Sequence, residues 1–236
     1  MANQNPFAKA TKESGSYVRM ALAGPSGSGK TFTALKTAQG LGKTAFIDTE
    51  FGSARKYSDL FDFDVVELMS DYTTPNLLAC IDAAVQHQYQ CLIIDSFSHF
   101  WEGDKGTLEQ ADSASERMGG NKMQGWSVAS PMWRKGLHGI LGAPLHVIVC
   151  MRSKNNILMN QDPETGRTKV EVLGEKPIQR DGISYEFDLV GMLKNDSGNS
   201  IFSVSKSRCP ELHGKEFTNA GAAELTPYFS WLGLIK

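Results

Sequence analysis

The stretch Gly24-Pro25-Ser26-Gly27-Ser28-Gly29-Lys30-Thr31 constrains this chain more than any other. It fits G-x-x-x-x-G-K-[ST], the phosphate-binding P-loop. The flanking residues follow in the order the motif requires. Tyr17 to Ala23 is apolar and β-compatible; Thr31 to Leu41 has helical spacing and ends at Gly42. Gly24, Gly27 and Gly29 can turn the backbone tightly and bring no Cβ toward a ligand. The loop's N–H groups then face inward as an anion nest at the positive end of the next helix. Lys30 is placed to reach the β- and γ-phosphates and Thr31 to put its hydroxyl on Mg²⁺. Phe32 follows in the first helical turn and is expected beside the nucleotide. The ligand set this implies is ATP or ADP with Mg²⁺.

A chain of 236 residues suits one α/β domain. Residues 1–16 are polar and read as a flexible arm, and 17–236 as the domain. The net charge of −2 excludes a globally basic nucleic-acid binder but leaves local patches open. No apolar run approaches the roughly 18 residues of a membrane helix, and the N-terminus lacks a signal-peptide core, so a cytoplasmic protein is expected. Cys80, Cys91, Cys150 and Cys209 are widely spaced in apolar segments, as buried free thiols would be.

Further elements follow in sequence. Lys43 to Thr49 is an apolar strand closed by Glu50, and Phe63 to Met69 a short third strand. A helix starts at Pro75, with Leu77, Leu78, Ile81, Ala84 and Val85 on one face. Cys91 to Asp95 and Leu145 to Met151 are continuous apolar runs, as in strands buried on both faces. Helices are expected near 107–118 and over Trp126 to Leu141, with a mobile loop at Gly119-Gly120 and Pro131 at a first turn or kink. Asn156 to Asn160 and Thr168 to Leu173 flank the turn signal Asp162-Pro163-Glu164-Thr165-Gly166 and can pair as a hairpin. Arg180-Asp181-Gly182 signals another turn, and Tyr185 to Leu193 and Ser200 to Ser205 close the chain as strands. The sheet is expected to be mainly parallel, flanked by helices, with antiparallel strands at its C-terminal end.

Two carboxylates complete a site. Asp95 ends four apolar residues, the Walker B pattern, at the strand end where open α/β sheets bind ligands. There it would hold Mg²⁺ with Thr31. Glu50 ends the neighbouring run and is the candidate to orient or deprotonate an attacking water. Asp48 is a competitor that points to the other side of its strand.

The segment TAFIDTEFGSARKY resembles the strand ending in Asp-x-Glu of RecA-type ATPases, and CLIIDSFSHFW their Walker B strand running on as Asp-Ser. The chain is similar to that family in order through most of its length. The resemblance implies a RecA-like P-loop ATPase fold. Its fourth strand ends at Cys150-Met151-Arg152-Ser153, where RecA has a polar sensing pair, and Arg152 is the candidate sensor. Val204-Ser205-Lys206-Ser207-Arg208 is similar to the Lys-x-Arg finger of the KaiC and DnaB branch, which implies that Lys206 and Arg208 reach an adjacent subunit's γ-phosphate in a ring or filament. The resemblance does not extend to RecA's separate N-terminal oligomerisation domain, and the 1–16 arm is expected to take its place on a neighbour. Size and closing segment look most like the phage-encoded Sak-group proteins, which implies ATP-driven recombination or single-strand annealing in the host cytoplasm.

Candidate contacts to single-stranded DNA are Arg117, Lys122, Trp126, Arg134 and Lys135, with Lys154 from the hairpin region. Cations hold phosphates and aromatic rings stack bases. Trp126 and Trp133 are a heptad apart and can equally pack one helix face. Arg167, Lys169, Lys176 and Arg180 are balanced by nearby acids. The five histidines show no metal spacing; His99 can line the site or pack beneath it. Two other readings stay open: a KaiC-like ATPase that switches protein partners without DNA, and a kinase, for which no arginine-rich lid is evident.

Overall fold

The apolar runs of the sequence become the inner strands of one sheet. The computed structural model describes residues 16–161 and 168–235, together with Lys9. Most of the expected arm, the turn at 162–166 and Arg167 lie outside the described residues. The strands are β1 (Arg19–Gly24), β2 (Thr44–Asp48), β3 (Asp64–Glu67), β4 (Cys91–Asp95), β5 (His146–Gln161), β6 (Thr168–Pro177), β7 (Leu189–Asp196), β8 (Asn199–Ser207) and β9 (Glu216–Thr218). Their order is β3-β2-β4-β5-β1-β7-β8-β9, with β6 paired to β5 beyond the sheet. The order is parallel from β3 to β7; β8 and β9 are antiparallel. Every residue of β1 and β4 is buried, because both faces of the sheet are covered.

Alternation along β1 divides the core. Met20 and Leu22 pack with α1 (Lys30–Ala38) and α6 (Thr226–Trp231) on one face. Ala21 and Ala23 pack with α2 (Thr74–Gln86), α3 (His99–Glu102) and α5 (Lys122–Gly142) on the other. A further helix, α4 (Thr107–Arg117), lies against α5. The register sets Gly24 opposite Arg152, Asp95 opposite Cys150 and Asp48 opposite Asp95. The ends of β1, β2 and β4, and the point where β5 leaves its neighbours, therefore lie on one rim, where ligands of such sheets bind.

Three boundaries differ from expectation. The helix expected from Trp126 starts at Lys122, because the Asn121 side chain caps it, accepting from the N–H groups of Met123 and Gln124 at 3.0 and 3.3 Å. Pro131 thus lies in the helix interior. It removes one helical hydrogen bond, which close packing offsets: a Cβ at Gly125 would lie 2.2 Å from the Ala111 carbonyl oxygen, and one at Gly139 2.3 Å from Leu78. The strand expected from Leu145 does not stop at Met151. It continues through Gln161 as a two-stranded ribbon with β6, since past Ser153 its residues pair only with that strand. The strand expected from Tyr185 begins at Leu189. The Lys206 ammonium takes up the carbonyls of Ser184, Tyr185 and Phe187 at 3.0, 2.7 and 2.6 Å and holds them out of the ladder, next to a 3₁₀ turn at Ile183–Tyr185. Gly119 and Gly120 form a left-handed turn. α3, β9 and α6 have no counterpart among the elements expected from sequence.

Arg19 is a cation within the buried β1. Its guanidinium donates to the carbonyls of Leu141, Ala143 and Leu145, at and just beyond the C-terminus of α5. Nearby, His146 Nδ1 accepts from the Val18 N–H at 3.0 Å, which only the neutral ring can do. Burial, helped by the Arg19 charge, lowers the His146 pKa from 6.5 to about 4. A histidine held below its unfolded pKa contributes stability above pH 6.5, and that contribution drains away as pH falls toward about 4. The urea midpoint is expected to fall across this window by the equivalent of about 2 kcal/mol, allowing for partial exposure. His146→Leu should flatten the fall; an equally steep profile in the variant would place the acid sensitivity elsewhere.

Candidate active site

The P-loop takes its shape from its neighbours as well as its glycines. Gly27 and Gly29 have φ of +75° and +92°, a region that disfavours side chains. Gly24 is required for space: a Cβ there would lie 2.4 Å from the Leu193 carbonyl oxygen of β7. Lys30 is buried, and its ammonium donates to the carbonyls of Gly24 and Pro25 at 2.9 and 2.8 Å. This holds the charge inside the curve of the loop.

The Thr31 hydroxyl donates to Asp95 Oδ2 at 2.6 Å, so residues 64 apart in sequence meet at the cradle. The other carboxylate oxygen, Oδ1, is buried and has no hydrogen-bond partner among the described residues. Burial raises the Asp95 pKa to about 6, the Thr31 hydroxyl opposes the rise, and Glu50's charge adds to it. A buried carboxylate oxygen without a donor, beside a hydroxyl and a phosphate cradle, is a hard-oxygen donor set that fits Mg²⁺. Thr31 and Asp95 are the residues that would hold the ion. The peptide between Asp95 and Ser96 is cis.

Glu50 stands just beyond β2. Its Oε1 accepts from Arg152 Nε and Nη2 at 3.1 and 3.0 Å. Arg152 itself is fixed by its backbone N–H, which donates to the Ser98 hydroxyl at 2.9 Å. Asp48, the competing carboxylate, is fully buried and accepts from the backbone N–H groups of Glu50 and Ala54 at 2.6 and 2.9 Å. It shapes the turn that presents Glu50 and is not available to water. His99 lies beneath the site, stacked on Tyr72 with ring centroids 5.1 Å apart and its Nδ1 2.7 Å from the Thr49 hydroxyl. It packs and orients.

The cleft over these groups has a volume of about 440 Å³. Of the residues expected at the nucleotide, Pro25, Ser26, Gly27, Gly29, Lys30, Thr31, Phe32, Glu50 and Arg152 line it. Tyr57, Glu102, Ser153 and Ile178 also line it and were missed. Phe32 meets Tyr57 and Phe61 edge to face at 5.9 and 5.2 Å, which gives the mouth an aromatic wall. An aromatic residue in the turn after Glu50 was the available signal for Tyr57.

A family model described as an AAA domain matches residues 16–216, most of the chain. The chain belongs to the AAA domain family. No protein with a curated description matches it. The domain is a nucleotide-binding ATPase unit of the P-loop type, and its family generally uses ATP with Mg²⁺.

Lys206 and Arg208 of this AAA domain lie away from its own cradle. Lys206 pairs with Val190 in β7, and the Arg208 N–H donates to the Asp188 carbonyl. Asp188 in turn donates to Arg19 at the start of β1, whereas the P-loop begins at the end of β1. Along the strand direction Arg208 is thus about 16 Å, and Lys206 about 10 Å, down the sheet from the start of the P-loop. Their situations differ. The Lys206 ammonium is taken up by three carbonyls, while the Arg208 side chain is 58% exposed and, among the described residues, meets only Asp188, at 3.2 Å.

The expected nucleic-acid contacts fall on adjoining elements. Arg117, Lys122, Arg134, Lys135 and Lys154 are exposed. Trp126 is half-buried and stacks on Trp101 at 5.8 Å, so it serves first to pack α5 on α3. Trp133 packs edge-on to Trp101, donates to Gln179 Oε1 at 3.0 Å and carries the Arg180 guanidinium on its face. That contact joins α5 to the base of the ribbon, where Lys154 lies opposite Lys176. All four cysteines are free thiols. No group of histidines, cysteines and acids that could hold a metal occurs among the described residues. No helix among them is long and apolar enough to cross a membrane.

Proposed function

We propose that this ATPase works in DNA recombination or single-strand annealing, as the phage-encoded RecA-like proteins of the Sak group do. Its chemistry would be hydrolysis of ATP at Gly24–Thr31. The observation that carries the hydrolytic step is the set of groups on one rim: the Thr31–Asp95 contact at 2.6 Å and the Glu50 carboxylate held beside it by Arg152. Lys30 and the loop N–H groups would bind and orient the phosphates. Mg²⁺, held by Thr31 and Asp95, would offset phosphate charge when bound. Glu50 would accept a proton from water through its Oε2, which leaves Oε1 to Arg152. Tyr57 and Phe32 offer an apolar wall to a planar base. Arg208 of a neighbouring copy would supply the remaining cation, and Lys206 would brace the corner that presents it. A ring or filament follows from that sharing.

The DNA role is supported by the exposed cations on α5 and on the ribbon, elements joined through Trp133 and Gln179. A second reading, switching of protein partners, is favoured by one observation. The ribbon exposes Ile157, Met159, Val172 and Leu173 at 47, 70, 58 and 54%. Binding of a single-stranded oligonucleotide separates the two. The recombination role predicts binding at low salt that weakens about tenfold or more between 50 and 200 mM salt. Absence of binding at low salt, with and without ATP, overturns that role and leaves the partner switch.

A further inference from the structure

The β7–β8 hairpin reaches the P-loop at its tip. The Ser200 hydroxyl donates to the Ser28 carbonyl at 2.8 Å, across 172 residues of sequence. Ser200 is itself clamped from both sides. Its N–H donates to the Asn219 side-chain oxygen at 2.9 Å, and its carbonyl accepts from the Asn219 N–H at 2.7 Å. A Cβ placed on Gly29 would lie 2.7 Å from the Ser200 hydroxyl oxygen, so the hairpin closes on the loop's outer surface without a gap.

The Ser28 carbonyl belongs to the same planar peptide as the Gly29 N–H. In a trans peptide the two point in opposite directions. A donor that holds the carbonyl outward therefore turns the Gly29 N–H inward. Gly29 tolerates this plane because its φ of +92° is open to glycine. Among the described residues the Ser28 hydroxyl, by contrast, has no hydrogen-bond partner, so the loop's own side chain does not perform this task.

We propose that Ser200 is a positioning residue for nucleotide binding: by holding the Ser28 carbonyl, it aims the Gly29 N–H at a phosphate of the bound nucleotide. This rests on the reading of Gly24–Thr31 as the phosphate cradle. The contact is made to a phosphate present in ADP and ATP alike. It strengthens ground-state and transition-state binding together, so its loss raises KM and leaves kcat in place.

The test is ADP binding by calorimetry, with KM and kcat for ATP, in the full chain and in Ser200→Ala, Ser200→Val and Ser200→Thr. Valine and threonine differ by methyl for hydroxyl, so the pair isolates the donor. The alanine and valine variants should bind ADP about five- to tenfold more weakly, with KM raised by the same factor and kcat unchanged. Threonine should restore binding to within about twofold. Thermal melts of the ligand-free variants show whether a loss is confined to the site. The inference is overturned if alanine and valine variants bind like wild type, or if threonine loses as much as valine. If wild type itself fails to bind ADP, the cradle falls and this inference with it.

Discussion

Glu50→Gln is expected to bind ATP and release almost no phosphate. The carboxamide keeps the shape of the side chain and can still accept from Arg152 through its oxygen. It cannot take a proton from water. General-base assistance contributes about 10² to 10⁴ in rate, and turnover should fall by that order. Binding should hold, because Lys30, Thr31 and Asp95 are untouched and one negative charge is removed from beside the phosphates. Quenched-flow phosphate release together with nucleotide calorimetry reads both quantities. Turnover equal to wild type would make Glu50 the ion-pair partner of Arg152 and nothing more. Asp48 offers no substitute, since both its oxygens are taken by backbone N–H groups inside the turn.

Arg208→Ala should be nearly inactive alone, and activity should return when it is mixed with the equally inactive Lys30→Ala. Arg208 sits about 16 Å down the sheet from its own P-loop, so it cannot touch a phosphate bound there. Its guanidinium is 58% exposed and held by one carboxylate, so it is available to another copy. Within the cleft, Lys30 and Arg152 are the only cations among the described lining residues, and Arg152 is paired with Glu50. A cation supplied in trans stabilises transition-state charge by about 10³ or more in well-studied NTPases. In a mixed assembly, a Lys30→Ala subunit retains Arg208 and can complete the intact cradle of an Arg208→Ala neighbour. Recovery toward about a quarter of wild-type phosphate release is expected if subunits mix at random. No recovery in a mixture shown to co-assemble would contradict sharing.

Local patterns made the site's backbone legible. The glycine loop, the Asp95 strand and the Glu50 strand were readable because each ends a short apolar run, and runs of that kind are buried in parallel sheets. The ligand-binding rim then follows from chain direction alone. What sequence did not reveal depends on contacts between distant residues. Gly24 looked like a turn residue, yet the Leu193 carbonyl is what excludes a side chain there. Lys206 looked like the equal of Arg208, two positions away on one strand. Only the fold shows three carbonyls converging on its ammonium. The strand expected from Tyr185 was shortened by those same carbonyls. Trp126 and Trp133 carried two readings because heptad spacing is blind to a partner such as Trp101, which lies on another helix. Ser200 has no motif at all, and its role depends on a hairpin returning to the loop.

The central claim is that Gly24–Thr31, with Asp95 and Glu50, is a site of ATP hydrolysis. Its most direct test is Mg²⁺-dependent phosphate release by the wild-type chain and by Lys30→Ala, each confirmed folded by its melting curve. Wild type should release phosphate only with Mg²⁺ present, and the variant should lose that release by about 10²-fold or more. Equal release by both proteins, or none by wild type at any protein concentration, would contradict the claim.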